Sequence, residues 1–229
     1  MAEHRRFPAA GFPSVLLPQT PFPRKHRPGL TFPPSRLRAT FTGMIRGLIF
    51  DCDGTLVDTM PLHWMAWQNV CRRHGIHFEE KRFYELGGVG SIQIFKMLLA
   101  EQGLAGDPFE LSREKEAGFL PLADQAQGIE PVLAIAREFH GKLPMGVATG
   151  GKRVNCTAIL NGVGIYDWFD AIVTSEDVEN QKPAPDIFLK AAAQIGIPPQ
   201  ECRAYEDTDL GMQAIRAAGM EAVDIRELL

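Results

Sequence analysis

From Ile45 onward the chain alternates between short, largely apolar runs and longer stretches whose apolar positions recur three and four apart. Ile45 to Cys52 is the first run, and Pro144 to Thr149, Ala171 to Ser175, Arg203 to Glu206 and Ala222 to Ile225 repeat its look; each predicts a buried strand. Helical periodicity separates the later runs, including Val154 to Leu160 and Asp186 to Ile195, the second opened by Pro185 and closed by Gly196. This alternation predicts an α/β fold, a Rossmann-like parallel sheet wrapped on both faces with its site at the carboxyl ends of the strands. Between Thr59 and about Gln127 the strand signal is absent. Three or four amphipathic helices fit there, among them Pro61 to His74, stopped by Gly75, and Ser91 to Gln102, stopped by Gly103. The expected layout is a core of residues 44–58 and 128–229 with a small α-helical cap subdomain, residues 59–127, inserted after the first strand.

Residues 1–43 share none of this periodicity. They hold eight prolines, and the apolar stretch Val15-Leu16-Leu17 is closed by Pro18, too short for a secretion-signal core. The composition fits a disordered basic Pro-rich tail; a spurious extension upstream of a start at Met44 and an Arg-rich organelle transit peptide are the other readings.

Charge changes the picture because it is unevenly placed. The formal net charge is −4, but residues 1–43 carry seven Lys/Arg against one acid, so the remainder holds 17 Lys/Arg against 27 Asp/Glu. Such a body repels nucleic-acid phosphates, so no nucleic-acid partner is expected, and any anionic ligand has to be drawn in by a metal or by local cations. No apolar run approaches the roughly 20 residues of a bilayer-spanning helix, so no membrane partner is expected. The four cysteines show no CxxC spacing, which suits a reducing compartment; a cytoplasmic location follows, with organelle targeting by residues 1–43 left open.

The candidate chemistry begins where the first strand ends, at Asp51-Cys52-Asp53-Gly54-Thr55-Leu56. Side chains alternate along a strand, so Asp51 and Asp53 face one side where the chain leaves the sheet, and Gly54 permits a sharp turn. An Asp-Gly turn alone is common and solvated; the full string behind an apolar strand is much rarer. Glu206 and Asp207 close another strand, and four clustered acids stay ionised together only with a cation, for which an all-oxygen set suits Mg2+. Thr149, followed by Gly150 and Gly151, sets a hydroxyl and glycine amides at a strand-to-helix junction able to hold phosphate oxygens, and Lys182, ahead of a helix, reaches the same phosphate as a point charge.

In this order the segments DCDGTLVDT, VATGG, KPAPD and EDTDLGMQAIRAAGM resemble the four motifs of the haloacid-dehalogenase-like superfamily, over nearly all of residues 44–229. Within it the chain is most similar to the branch of beta-phosphoglucomutase and fructose-1-phosphate phosphatases, a branch that Thr59, His63 and Trp67 also match. The resemblance implies a Mg2+-dependent phosphatase of small sugar phosphates. In it Asp51 attacks phosphorus to form an aspartyl-phosphate, Asp53 serves as general acid and base, and Thr149, Gly150 and Lys182 bind the phosphoryl group. It further implies Mg2+ held by Asp51, Glu206, Asp207 and the Asp53 carbonyl.

Thr59, His63 and Trp67 are four apart and share one helix face, either packing the cap against the core or closing over substrate. The loop Leu86 to Ser91, with Gly88, resembles the family's sugar-site loop; it follows no strand, which excludes a dinucleotide fingerprint. The mutase carries an arginine where Ser91 stands and grips a second phosphate with it, so its absence favours hydrolysis over transfer; Lys115 and Arg153 are the candidate replacements. Beta-phosphoglucomutase remains the second reading and a non-catalytic binding protein of this fold the third. A small phosphorylated sugar is the expected partner, and a monomer or weak homodimer the expected state.

Overall fold

In the computed structural model the described residues are 44–229, so the tail expected over residues 1–43 lies outside them. Strand β1 (Gly47–Phe50) leads directly into the acidic turn, and a two-residue strand, β2 (Val57–Asp58), follows it. Four helices come next, α1 (Met60–Arg73), α2 (Glu80–Glu85), α3 (Ser91–Gln102) and α4 (Pro108–Phe119), before β3 (Gln127–Gly128). β3 pairs antiparallel with β2, Val57 opposite Gly128 and Asp58 opposite Gln127, so the outgoing and returning chains are clamped side by side. The rest alternates: α5 (Glu130–Phe139), β4 (Met145–Ala148), α6 (Arg153–Gly162), β5 (Ala171–Val173), α7 (Asp186–Gln194), β6 (Cys202–Glu206), α8 (Asp209–Ala217) and β7 (Glu221–Asp224).

Five strands form one parallel sheet in the order β5-β4-β1-β6-β7, with β1 at its centre. Burial of all four β1 residues explains why that segment reads as an apolar run and not as an alternating strand. Leu48 and Phe50 pack on one face with Val132, Ala136 and Ile159 from α5 and α6, and Ile49 packs on the other with Phe188, Ala191 and Ile215 from α7 and α8. The α/β fold is therefore the one expected, with β1, β4 and β5 one or two residues shorter at their ends than the apolar runs suggest, β6 starting one residue earlier and β7 shifted back by one. That shortening has a reason: the flanking residues, such as Asp51 and Thr149, leave the ladder to build the cleft above the strand ends. The helical segment has its own core, in which Trp64, Trp67, Phe83, Phe95 and Leu98 are packed together. No described helix is long and apolar enough to cross a membrane.

Candidate active site

The two central strands end side by side, β1 in Asp51 and β6 in Glu206 and Asp207, because Phe50 is in register with Tyr205. One oxygen from each of these three carboxylates lies within 4.8 Å of the others. Lys182, on the loop before α7, enters the cluster from the side, its ammonium 2.6 Å from Asp51 Oδ1 and 2.9 Å from Glu206 Oε2. Burial and the Glu206 carboxylate push the Asp51 carboxyl well above its ordinary range despite the pull of Lys182. Burial and Glu206 likewise raise Asp207 to about 6. Burial opposes the Lys182 charge, but Asp51 and Glu206 outweigh it and hold the ammonium more firmly protonated than a free lysine. A single ammonium balances one of the three carboxylates, so an all-oxygen group with a net deficit of positive charge remains, and that is the donor set of a hard divalent cation.

Two glycines make this crowding sterically feasible. Gly54 has φ +85°, and a Cβ there would lie 2.4 Å from Asp207 Oδ2. At Gly211 in α8 a Cβ would lie 2.1 Å from Glu206 Cδ, so the carboxylate lies across bare helix backbone. Thr208 caps α8 by accepting from Gly211 N at 3.1 Å, and its hydroxyl also donates to Glu206 Oε1. Thr55 Oγ1 donates to Asp207 Oδ1 at 2.8 Å. Thr55, fully buried and unremarked at the level of sequence, is thus a positioning residue whose only signal is its place in the turn motif.

Asp53 stands apart from the three clustered carboxylates. Its Oδ1 accepts from Thr59 Oγ1 at 2.7 Å and lies 3.1 Å from His63 Nε2, and its Oδ2 accepts from Thr149 Oγ1 at 3.2 Å. Thr59 occupies the N-cap of α1, yet its hydroxyl turns to Asp53 instead of capping the helix. The other ring nitrogen, His63 Nδ1, lies 2.9 Å from Lys115 Nζ. An ammonium can only donate, so Nδ1 is the acceptor and Nε2 carries the proton given to Asp53. Burial and the Lys115 charge both lower the His63 pKa, consistent with that neutral ring. Burial alone would raise Asp53, but the bonds from His63 and Thr59 and the Lys115 charge outweigh it and hold the carboxyl at about 2.

The remaining expected residues divide into those the fold brings to the cleft and one it does not. The cleft, of about 700 Å³, lies between the strand ends and the helical segment and is walled by Thr149, Gly150, Gly88, Ser91, Trp67 and Lys115 among others. Gly151 N donates to Thr149 Oγ1 at 2.9 Å, which aims the hydroxyl. His63 is stacked on Phe119, ring centroids 3.8 Å apart, and Lys115 Nζ lies 5.9 Å from the Trp67 ring centre. Trp67 itself is 2% exposed and packs on Phe95, so it acts mainly as a wall. Arg153 turns away: its backbone amide bonds Glu176, and its guanidinium donates to Ile172 O at 3.2 Å and pairs with Asp177 at 2.5 Å. Those two carboxylates at the end of β5 capture it outside the cleft, so it does not replace the missing arginine of the sugar-site loop. Glu116 and Asn155, which sequence spacing does not single out, line the cleft instead.

Comparison with known proteins agrees with this geometry. Over 183 residues the chain is 39% identical to the fructose-1-phosphate phosphatase YqaB of Escherichia coli K12, covering 80% of this chain and 97% of that protein. It is 30% identical over 190 residues to the beta-phosphoglucomutase of Bacillus subtilis 168, covering 79% and 83% of the two chains. The crystal structure of beta-phosphoglucomutase from Clostridium difficile superposes with a TM-score of 0.69 at 29% identity, over 81% of this chain and 87% of that one. The family model of haloacid dehalogenase-like hydrolases matches residues 45–219, and the chain belongs to that family.

Proposed function

We propose that this enzyme is a Mg2+-dependent phosphatase of small sugar phosphates, of the fructose 1-phosphate kind, working through an aspartyl-phosphate on Asp51. The observation that carries the reading is the cluster of Asp51, Glu206 and Asp207, the first two buried, with Lys182 among them, opposite Asp53 and Thr149 in one cleft. Its similarity to YqaB supports the substrate class, and its similarity to a mutase supports the phosphoryl chemistry. The three carboxylates would hold Mg2+, which when bound offsets their repulsion toward an incoming phosphate and polarises the phosphoryl oxygens.

An Asp51 oxygen forms a bond to phosphorus as the bond from phosphorus to the sugar oxygen breaks, and Asp53 supplies the proton that the sugar oxygen needs. Lys182 holds the Asp51 carboxylate in place and faces the transferring group; Thr149 Oγ1 and the amide of Gly150 bind its oxygens. Asp53 then takes a proton from water as that water attacks phosphorus, the bond to Asp51 breaks, and free phosphate leaves. Asp53 is held as a carboxylate by Thr59, His63 and Thr149, so it must gain a proton before it can donate one. The negative charge of an arriving phosphate raises its proton affinity, so it takes up a proton from solvent as the substrate binds. Phosphate release from fructose 1-phosphate with Mg2+, compared between wild type and Asp53→Asn, tests the reading. The variant should lose roughly 10²- to 10⁴-fold in kcat; undiminished release would reject Asp53 as the acid.

A further inference from the structure

From Asp53 a run of hydrogen bonds leads through His63 and Lys115 to Glu116, a residue the mechanism above does not use. Lys115 Nζ donates to Glu116 Oε1 at 3.1 Å, Ser91 Oγ donates to the same oxygen at 3.2 Å, and Asn155 Nδ2 donates to Oε2. Glu116 lies in α4 of the helical segment and Asn155 in the first turn of α6 of the core, and both wall the cleft. The Glu116 side chain is 15% exposed and that of Lys115 is 6%. This is a built site, with a carboxylate, an amide and a hydroxyl converging on one place beside the cleft.

We propose that Glu116 determines the substrate class: it receives the hydroxyl groups of a singly phosphorylated sugar and turns away a sugar that carries a second phosphate. The inference rests on the phosphatase reading and narrows it. A sugar hydroxyl both donates and accepts, so it can donate to the free lone pair of Glu116 while accepting from the second N–H of Asn155 Nδ2. A phosphate can only accept, and here it would meet a carboxylate in a partly desolvated wall. Glu116 also neutralises Lys115, the cation nearest this end of the network. The other two are committed as well: Lys182 to Asp51 and Glu206, and Arg226 to Asp209 and Asp224. Among the described residues the cleft wall holds seven carboxylates against three lysine or arginine side chains. Only one phosphate, the one facing Asp51, has a cation to meet.

The test is phosphate release from fructose 1-phosphate and fructose 1,6-bisphosphate by wild type, Glu116→Gln and Glu116→Asp. Wild type should favour the monophosphate in kcat/KM by at least roughly 10-fold. Glu116→Gln should cut that preference about 10-fold, mainly by lowering KM for the bisphosphate, because it removes the repulsion and frees Lys115. Glu116→Asp, which keeps the charge, should retain the preference. Ser91→Lys, which sets an ammonium against an intact Glu116, should move the preference in the same direction as Glu116→Gln, so the decision does not depend on one variant folding. A preference near unity in wild type, or parallel losses for both substrates in Glu116→Gln as a merely structural tie would give, overturns the proposal. If wild type releases phosphate from neither sugar, the phosphatase reading falls by itself. Calorimetric Kd values for the same two ligands and the same variants then decide the role of Glu116 independently of turnover.

Discussion

Lys182 Nζ and Asp51 Oδ1 are 2.6 Å apart, each side chain 6% exposed, although 131 positions separate them in the chain. The pair joins the loop before α7 to the end of β1. Lys182 also bonds Glu206 Oε2 at 2.9 Å, and among the described residues its ammonium is the only one in contact with the three clustered carboxylates.

Replacing that lysine should therefore harm both chemistry and folding. Lys182→Met leaves the buried carboxylates of Asp51 and Glu206 with no ammonium, and breaking a buried pair from one side costs about 3–5 kcal/mol. Loss of the charge facing the phosphoryl group should also lower kcat by roughly 10²-fold or more. Denaturant unfolding without metal and phosphate release with Mg2+ measure the two effects. A variant as stable and as active as wild type would contradict the assignment.

The same crowding sets a pH dependence. Asp51 and Asp207 are raised in the folded state, Asp207 from 3.8 to about 6. A raised carboxyl binds more protons folded than unfolded, so its contribution to stability is fully present below about pH 4 and is lost as pH rises through about 6. A bound cation restores what is lost. In thermal unfolding the gain in Tm on adding Mg2+ should be roughly twofold larger at pH 7.5 than at pH 5. An equal gain at both, or none, would count against cation binding by these residues.

Asp53 and the groups that hold it can be probed through the leaving group. A sugar oxygen needs a proton to depart and a nitrophenolate does not, so a defect in acid catalysis shows on one substrate more than the other. His63→Ala removes a hydrogen bond to Asp53 Oδ1 and the path to Lys115. It should reduce turnover of fructose 1-phosphate by roughly 10-fold more than that of p-nitrophenyl phosphate. Equal losses would assign His63 to packing against Phe119.

Much of this site is legible in the chain because its residues sit at strand ends next to turn-forming positions. Asp51, Glu206 and Asp207 follow apolar runs, and their side-by-side placement follows from adjacent parallel strands. Helix Ser91–Gln102 is legible to the residue because Gly103 takes φ +62° at its end. Less legible are contacts set by where helices cross. Arg153 looks available in the sequence, but the end of β5 brings Glu176 and Asp177 beside it. Glu116 and Asn155 lie in helices with no motif around them, 39 positions apart, and meet only because α4 and α6 face the same cleft. Asp53 reads as a fourth member of the acidic cluster, yet the hydroxyls of Thr59 and Thr149 and the ring of His63 draw its side chain toward the helical segment.

Gly211 offers a steric check on the metal assignment. In Gly211→Ala the new methyl would lie where Glu206 Cδ now stands, so the carboxylate must move while the helix, which favours alanine, is kept. The Mg2+ concentration giving half-maximal activity should rise roughly 10-fold or more. Unchanged Mg2+ dependence would show that Glu206 is not needed for the ion.

The most direct test of the central claim is to quench the enzyme during turnover of a sugar phosphate labelled in its phosphoryl group and to follow the label onto protein. Wild type and Asp53→Asn should carry label in a hydroxylamine-sensitive acyl phosphate on the peptide containing Asp51, and Asp51→Asn should carry none and release no phosphate. Label on another residue, or phosphate release by Asp51→Asn at the wild-type rate, would contradict the account.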